Sequence, residues 1–335
     1  MQEYNPTAPV SQVAELYFVQ AYVENLMAEH YCSGLAFSTV VDGVEQFGMQ
    51  ITTVQTYERA LAHADSGLAL ITGSTADAQV RNAVQVTKGR ILLNLNRPAD
   101  AAAAVAGVPT TFRYQTQHSQ TTRDNFIWTL NNSARRYTVS GGEGGVGINF
   151  ATAGDPRVPV CAGGSAACRT AGVTQGTVFE NGSAIPLHVQ LVWPTRESSV
   201  TIVSGVEARL IEAEAQLNAG NSTGALATLN ALRVATGPGS GGVAGLTPLT
   251  AATSEAARVD QLFRERAFWL FSRGHRLGDL RRLVRQYSRP VNTVFPNGAF
   301  ADGGVYGTDV NLPNPRAEEN NPNVTAGQTC INRDA

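Results

Sequence analysis

The sequence is short of charge, aromatic residues and cysteine, and it has no long apolar run. Only 16% of its 335 residues are charged, and the net charge at neutral pH is -2. A nucleic-acid surface needs a basic excess, so no nucleic-acid partner is expected. No run of about 18 apolar residues occurs, which excludes a hydrophobic helix long enough to cross a bilayer. Residues 1–30 lack a basic segment followed by an apolar one, so they do not read as a secretory signal. Catalytic patterns are also missing. His30, His63, His118, His188 and His275 are scattered, and neither H-E-x-x-H nor G-x-S-x-G occurs. No pair of carboxylates stands out in a loop-rich cleft of the kind glycoside hydrolysis requires. Gly141-Gly-Glu-Gly-Gly145 lacks the Lys-Ser/Thr and strand-to-helix context of a phosphate cradle. An enzyme, a metal site and a cofactor are therefore not expected.

Cysteine is scarce but suggestively spaced. Only Ala, Gly and Ser separate Cys161 from Cys168, and a short loop of small residues can close a disulfide. Two free thiols remain open as an alternative, and a metal site is the weakest reading because neighbouring ligands are lacking. Cys32 and Cys330 read as buried or free, with pairing between them also open.

Apolar residues make up 43% of the chain, enough for a sizeable core. Helical periodicity dominates, and the expected class is mainly α. Ser11 is a good N-cap for a helix over Val13–Tyr31, with Leu16, Tyr17, Val19, Val23, Leu26 and Met27 as its apolar face. Further helices are expected over Tyr57–Ile71, stopped by Gly73, and over Val80–Leu95, with Ser74 and Asp77 as a capping pair. Pro98 opens a short alanine-rich helix. Residues 84–109 and 204–235 each read as a helix pair of tetratricopeptide type. The two pairs are not adjacent, so the chain reads as one helical domain over 1–335 carrying an insertion. Its parts are a helical segment 10–109, a loop-rich insertion 110–203 with short strands, a second helical segment 204–289 and an irregular tail 290–335. Strands are expected at Arg136–Val139 and His188–Trp193, where alternation is clearest.

The stretch after Phe263 is the most distinctive. Two amphipathic helices meet at Ser272-Arg273-Gly274, flanked by an unusual density of charge. These charges can form a solvated face, pin the two helices together or bind a ligand. Glu265 or Asp279, each paired with Arg276, would make an ion-pair corner.

Glu265-Arg266, Gly274, Arg276, Asp279, Leu280 and Arg282 fall in the order ER…G-x-R-x-x-D-L-x-R. This resembles the C-terminal signature of the SusD/RagB family of outer-membrane nutrient-binding lipoproteins. Trp269 and Arg273 stand where that pattern has glutamates. Asp155-Pro156-Arg157, the helix Val206–Ala215, Asn230 with Arg233, and Pro313-Asn-Pro315 with Glu318 and Asn321-Pro322-Asn323 resemble further family segments in the same order. The resemblance implies a SusD-like α/α superhelix with tetratricopeptide-like pairs and no catalysis. It implies capture of a glycan or other oligomeric nutrient, and a lid role over a TonB-dependent SusC-like barrel transporter. It also implies a surface-exposed place on the cell outer membrane, with a lipid anchor supplied by an upstream signal absent from this chain, which then reads as an N-terminally truncated copy.

Sugar rings stack on flat aromatic faces, and their hydroxyls bond to amides and arginines. Tyr114, Trp128, Asn131, Asn132, Arg136 and Tyr137 supply both within one window of the insertion, and they are the expected ligand-binding residues. Trp128 also reads, and rather more so, as a core anchor for the loops, whereas Trp193 and Trp269 read as core. A competing class is a tetratricopeptide-type scaffold that grips a partner peptide; an intact Cys161–Cys168 disulfide favours the first class and reduced thiols the second.

Overall fold

The computed structural model describes residues 9–71, 77–179, 184–237, 243, 245–301, 303–325 and 327–335. The expected stop at Gly73 and the capping role of Ser74 lie outside the described residues. The fold is mainly α with short strands. Four helices open it: α1 (Val10–His30), α2 (Thr53–Leu70), α3 (Ala78–Asn94) and α4 (Pro98–Val105). Between α1 and α2 lie four short strands, β1 (Leu35–Ala36), β2 (Thr39–Val41), β3 (Val44–Gln46) and β4 (Gln50–Ile51). Asp42 and Gly43 form the two-residue turn of the β2–β3 hairpin, both with positive φ (50° and 76°), as a type I′ turn requires. Thr52 and Gln55 cap α2 reciprocally.

The first tetratricopeptide-like pair owes its closeness to glycine. A Cβ on Gly89 in α3 would sit 2.5 Å from a Val105 methyl of α4, so only glycine lets the two helices meet at this crossing. The apolar side chains of α1–α4 form one core with Ala208 and Ile211.

The insertion is bracketed by an antiparallel pair, β5 (Arg113–Thr116) and β8 (Val200–Ser204), with a bulge at Tyr114/Gln115. Inside it lie the short helix α5 (Phe126–Trp128), a π-helical turn (Thr129–Ser133), β6 (Val160–Ala162), α6 (Ala166–Thr170) and β7 (His188–Gln190). Strand pairing was expected at Arg136–Val139, but no ladder forms there. The Thr138 hydroxyl instead accepts from the His188 amide at 2.7 Å and itself donates to the Pro186 carbonyl at 2.9 Å. Cys161 of β6 and Cys168 of α6 are joined, with Cα atoms 5.4 Å apart.

The second helical segment contains α7 (Gly205–Asn218), α8 (Ser222–Val234), α9 (Glu255–Trp269) and α10 (Arg276–Arg285), followed by the single-turn α11 (Val291–Val294). Ser204, Asn221 and Ser254 cap α7, α8 and α9 through side-chain acceptors. Gly278 lets α10 lie against α1, because a Cβ there would come within 2.9 Å of the Glu29 carboxyl carbon. The guanidinium of Arg281 then donates to the Ala28 and Glu29 carbonyls, both at 2.8 Å, and closes the C-terminal end of α1.

One expectation needs correction. Leu16, Val19 and Val23 were assigned to the inner face of α1, yet each is 46% exposed. The buried face instead carries Val13, Ala14, Phe18, Ala21, Glu24, Asn25 and Ala28. Small residues and a polar set made the true inner face hard to recognise, because close helix packing favours alanine over bulk. Of the states left open for Cys32 and Cys330, the bonded one is found, across 298 residues of sequence. The tail returns to the exit of α1, where Ser33 bridges Asn332 and Tyr31 bridges Leu312.

Candidate ligand-binding face and its buried support

The signature charges of the α9–α10 corner are buried and paired. Asp279 Oδ1 accepts from Arg266 Nη2 and Arg282 Nη2, both at 2.9 Å, and its Oδ2 accepts from Arg266 Nε at 3.0 Å. Arg282 also forks onto Glu214 of α7. Glu265 accepts from Arg157 Nη1 at 2.6 Å and from Arg233 Nη1 at 2.7 Å, and Asp155 holds the other side of Arg157. The expected corner of Glu265 or Asp279 with Arg276 is therefore redrawn. Both carboxylates turn inward to arginines from α8, α9, α10 and the insertion, because those groups are already desolvated and can bind in fork geometry. Arg276 is half-buried at the first turn of α10. Burial alone would raise the Asp279 pKa, but Arg266 and Arg282 override it and bring it down to about 2.

A second buried cluster joins α1, α3 and α7. Arg90 forks onto Glu29, and Asn94 donates to Glu29 at 2.7 Å. His275 Nε2 lies 3.3 Å from Arg90 Nη1 and 3.7 Å from Glu207 Oε2. Burial pushes the Glu207 carboxyl up to about 7, only partly opposed by Arg90 and Arg266 and reinforced by Glu29 and Asp279. Burial, reinforced by Arg90, Arg266, Arg273 and Arg282, holds His275 well below its ordinary value. Glu207 therefore binds a proton in the folded chain that it releases when unfolded near neutrality. Its contribution to stability is full below its ordinary value of 4.5 and is lost as pH rises toward about 7. Glu207→Gln mimics the protonated form, so the variant should gain stability relative to the parent as pH rises from about 4.5 to 7 and hold that gain above. Urea denaturation across this range measures it, and a pH-independent difference would refute the assignment.

The structure divides the expected ligand residues. Tyr114 turns away from the group: its hydroxyl donates to Glu15, and its ring packs edge-on against Phe18 with centroids 4.7 Å apart. Asn131 and Asn132 are buried braces. Asn131 donates to the Tyr137 carbonyl at 2.9 Å and accepts from the Gln190 amide at 2.8 Å, and Asn132 accepts from the Gln190 side chain at 3.3 Å. Arg136 and Tyr137 are adjacent, and Tyr137 reaches the residue before Trp128. The Tyr137 hydroxyl lies 3.4 Å from the Ile127 carbonyl, and its ring is 38% exposed. Burial raises its pKa to about 12, so the phenol remains a donor. Trp128 is half-buried, with the Arg196 guanidinium 5.9 Å from its ring.

Two members of this face were missed. Phe179 is 55% exposed and lies beneath Arg135 and Arg136, at 5.5 Å and 5.1 Å from its ring. Phe126, 60% exposed, opens the turn that carries Trp128. No local pattern links Phe179 to Arg135; a backbone hydrogen bond from Phe179 to the Arg135 carbonyl joins them across the insertion. The resulting face presents aromatic rings beside guanidinium groups, held by buried asparagines. Behind it, between the insertion and the α9–α10 corner, lies a cavity of about 330 Å³ to which Tyr137 contributes.

No family model and no curated protein matches this sequence. Solved structures do. A SusD superfamily protein from Parabacteroides distasonis superposes with a TM-score of 0.61 at 18% identity, covering 96% of this chain and 80% of its own. The surface glycan-binding protein A of Bacteroides uniformis gives 0.61 at 12% identity, covering 93% and 76%. A SusD-like carbohydrate binding protein from Bacteroides fragilis gives 0.59 at 14% identity, covering 94% and 79%. The fold is SusD-like.

The segments that carry the sequence resemblance are the struts of this SusD-like fold. Asp155 and Arg157 meet Glu265 and Arg233, and Glu214 meets Arg282. Among the described residues, no helix is long and apolar enough to cross a membrane, and no group of His, Cys, Asp or Glu could hold a metal.

Proposed function

We propose that this chain is a SusD/RagB-type nutrient-binding protein that captures a glycan and does not transform it. The observation that carries this reading is the exposed set of Tyr137, Phe179 and Arg136, with half-buried Trp128 next to the Ile127 carbonyl that Tyr137 meets, on a frame of buried asparagines within a SusD-like fold. Rings fixed in this way stack on sugar C–H faces with little loss of side-chain freedom, and the guanidinium groups donate to hydroxyls. The carbohydrate-binding descriptions of two similar structures support the same class of ligand. Two disulfides suit an oxidising location. The proposed setting is the outer face of an outer membrane, with a lipid anchor and a TonB-dependent SusC-like barrel as partner.

Binding to an oligosaccharide panel tests the glycan reading. Trp128→Ala and Tyr137→Ala should each weaken capture about tenfold, or ~1.4 kcal/mol, while leaving the melting temperature within a few degrees. Unchanged binding in both would remove the face from consideration. Purification from native outer membranes tests the partner, and recovery of a large barrel in near-equal amount is the expected result.

A second reading, a protein-interaction scaffold, is favoured by one feature. Leu16, Val19 and Val23 form an uncharged, outward-facing stripe on α1. Recovery of cytoplasmic partners without a barrel would support that reading.

A further inference from the structure

The cavity behind Tyr137 differs in chemistry from the face in front of it. Apolar walls come from Val139 and Phe150 of the insertion, Ala267, Leu270 and Phe271 at the end of α9, and Leu277 of α10. Phe150 and Phe271 lie with ring centroids 5.1 Å apart. The volume is about 330 Å³. An apolar cavity of about 150 Å³ is enough to admit benzene.

Most of the buried polar groups along the same wall are already occupied. Gln190 accepts from the Trp193 amide at 3.0 Å and donates to the Trp193 carbonyl at 3.2 Å and to Asn132 at 3.3 Å. Both Asp279 oxygens are held by Arg266 and Arg282. Arg266 Nη1 is an exception: it makes no hydrogen bond among the described residues and lies 3.7 Å from Glu214 Oε2. His275 faces Arg90 and Glu207, and the Ser140 hydroxyl accepts from the Gly142 amide at 3.1 Å. A sugar hydroxyl entering here would lose its water partners and find most of these groups committed, so each hydroxyl left unpaired weakens binding. Such a site favours a group with nothing to hydrogen-bond, and it rejects a polyhydroxylated ring by the same logic.

We infer that the cavity between the insertion and the α9–α10 corner is a subsite for an uncharged apolar substituent, an aryl or acyl group, carried by the captured oligomer. Tyr137 stands at the junction, contributing to the aromatic face and to the cavity lining. The ligand class is then a substituted glycan, with its sugar ring on the face and its appendage inside. This deepens the glycan reading and rests on it for the sugar, whereas the cavity itself is testable without any sugar.

The test uses the intact chain and two fluorinated probes followed by ¹⁹F NMR: 4-fluorobenzyl alcohol for an aryl group and 4,4,4-trifluorobutan-1-ol for an acyl chain. At least one should show a saturable shift, with a dissociation constant on the order of 1 mM. Intermolecular NOEs should reach the methyl groups of Val139 and Leu277. The filling substitutions Val139→Phe and Leu277→Trp should each weaken that binding at least tenfold, with folding checked by circular dichroism. The NOEs in the parent chain decide the matter if either variant fails to fold. The inference is overturned if neither probe gives a saturable shift, or if binding persists unchanged in a folded, filled variant. For any oligosaccharide captured by the face, its benzyl glycoside should bind about tenfold more tightly than its methyl glycoside. Sugar capture with no probe binding would leave the face standing and remove the subsite, and probe binding with no sugar capture would do the reverse.

Discussion

Asp279→Ala should destabilise the chain by about 3–5 kcal/mol, because it leaves two buried guanidinium groups facing an empty place. Asp279 is 4% exposed and Arg266 and Arg282 are each 2% exposed, so water cannot replace the lost carboxylate. The effect should reach beyond the corner. Arg282 also holds Glu214 of α7, and Arg266 sits at the end of α9, so both helices lose their alignment with α10. For a chain of this size the melting temperature should fall by on the order of 10 °C. The same pairing sets an acid limit. Asp279 is held at about 2 against an ordinary value of 3.8, so its stabilisation is complete above 3.8 and is lost as pH falls toward 2. Urea denaturation of Asp279→Ala and the parent at pH 7 and pH 3 measures both effects. The gap between them should narrow at the lower pH. A neutral substitution at pH 7 would mean that the two arginines find other partners at no cost.

The frame of this protein can be read from its sequence because its struts are local in kind, even where they are distant in partner. Glu265-Arg266 and Asp279 with Arg282 stand in ordinary helix-forming contexts, and their density in an apolar stretch signals burial. The partners cannot be read in the same way. Asp279 and Arg276 are close in sequence and invite pairing, yet the carboxylate turns to Arg266 and Arg282. Helix geometry decides this, since Arg282 lies one turn further along α10 and Arg266 approaches from α9. Similarly, α1 shows two apolar stripes in its sequence, and the bulkier one faces outward. Alanines at 14, 21 and 28 make the real contact, which hydrophobicity alone ranks lower.

The proposed ligand face was only partly readable for a related reason. Arg136 and Tyr137 are neighbours in sequence, and the turn that follows Trp128 lets Tyr137 reach back to the Ile127 carbonyl. Asn131 and Asn132 share that turn, but the π-helical backbone directs their amides inward to Gln190. Phe179 completes the face from a loop with no periodic pattern, so no rule of spacing reveals it. The cavity is less visible still, since its walls come from α9, α10 and two parts of the insertion.

The second large effect should come from removing the bond between Cys32 and Cys330. The double variant Cys32→Ser/Cys330→Ser opens a loop spanning 298 residues, which ties the exit of α1 to the end of the tail. Loss of about 2–5 kcal/mol is expected, arising largely in the unfolded chain, whose conformational freedom the bond restricts. The small loop closed by Cys161 and Cys168 spans only 7 residues, and on the same chain-entropy argument its removal should cost about 3 kcal/mol less. Denaturant titration of the two double variants makes the comparison, with native circular dichroism expected to remain unchanged in both. Hydrogen exchange adds a local readout. Without the bond, the Ile331 amide that donates to Ser33 at 2.7 Å should lose protection before the helices do, because the tail is then held to α1 by hydrogen bonds alone. Equal costs for the two bonds would show that local packing around each sulfur pair, rather than loop closure, is the source of their stabilisation.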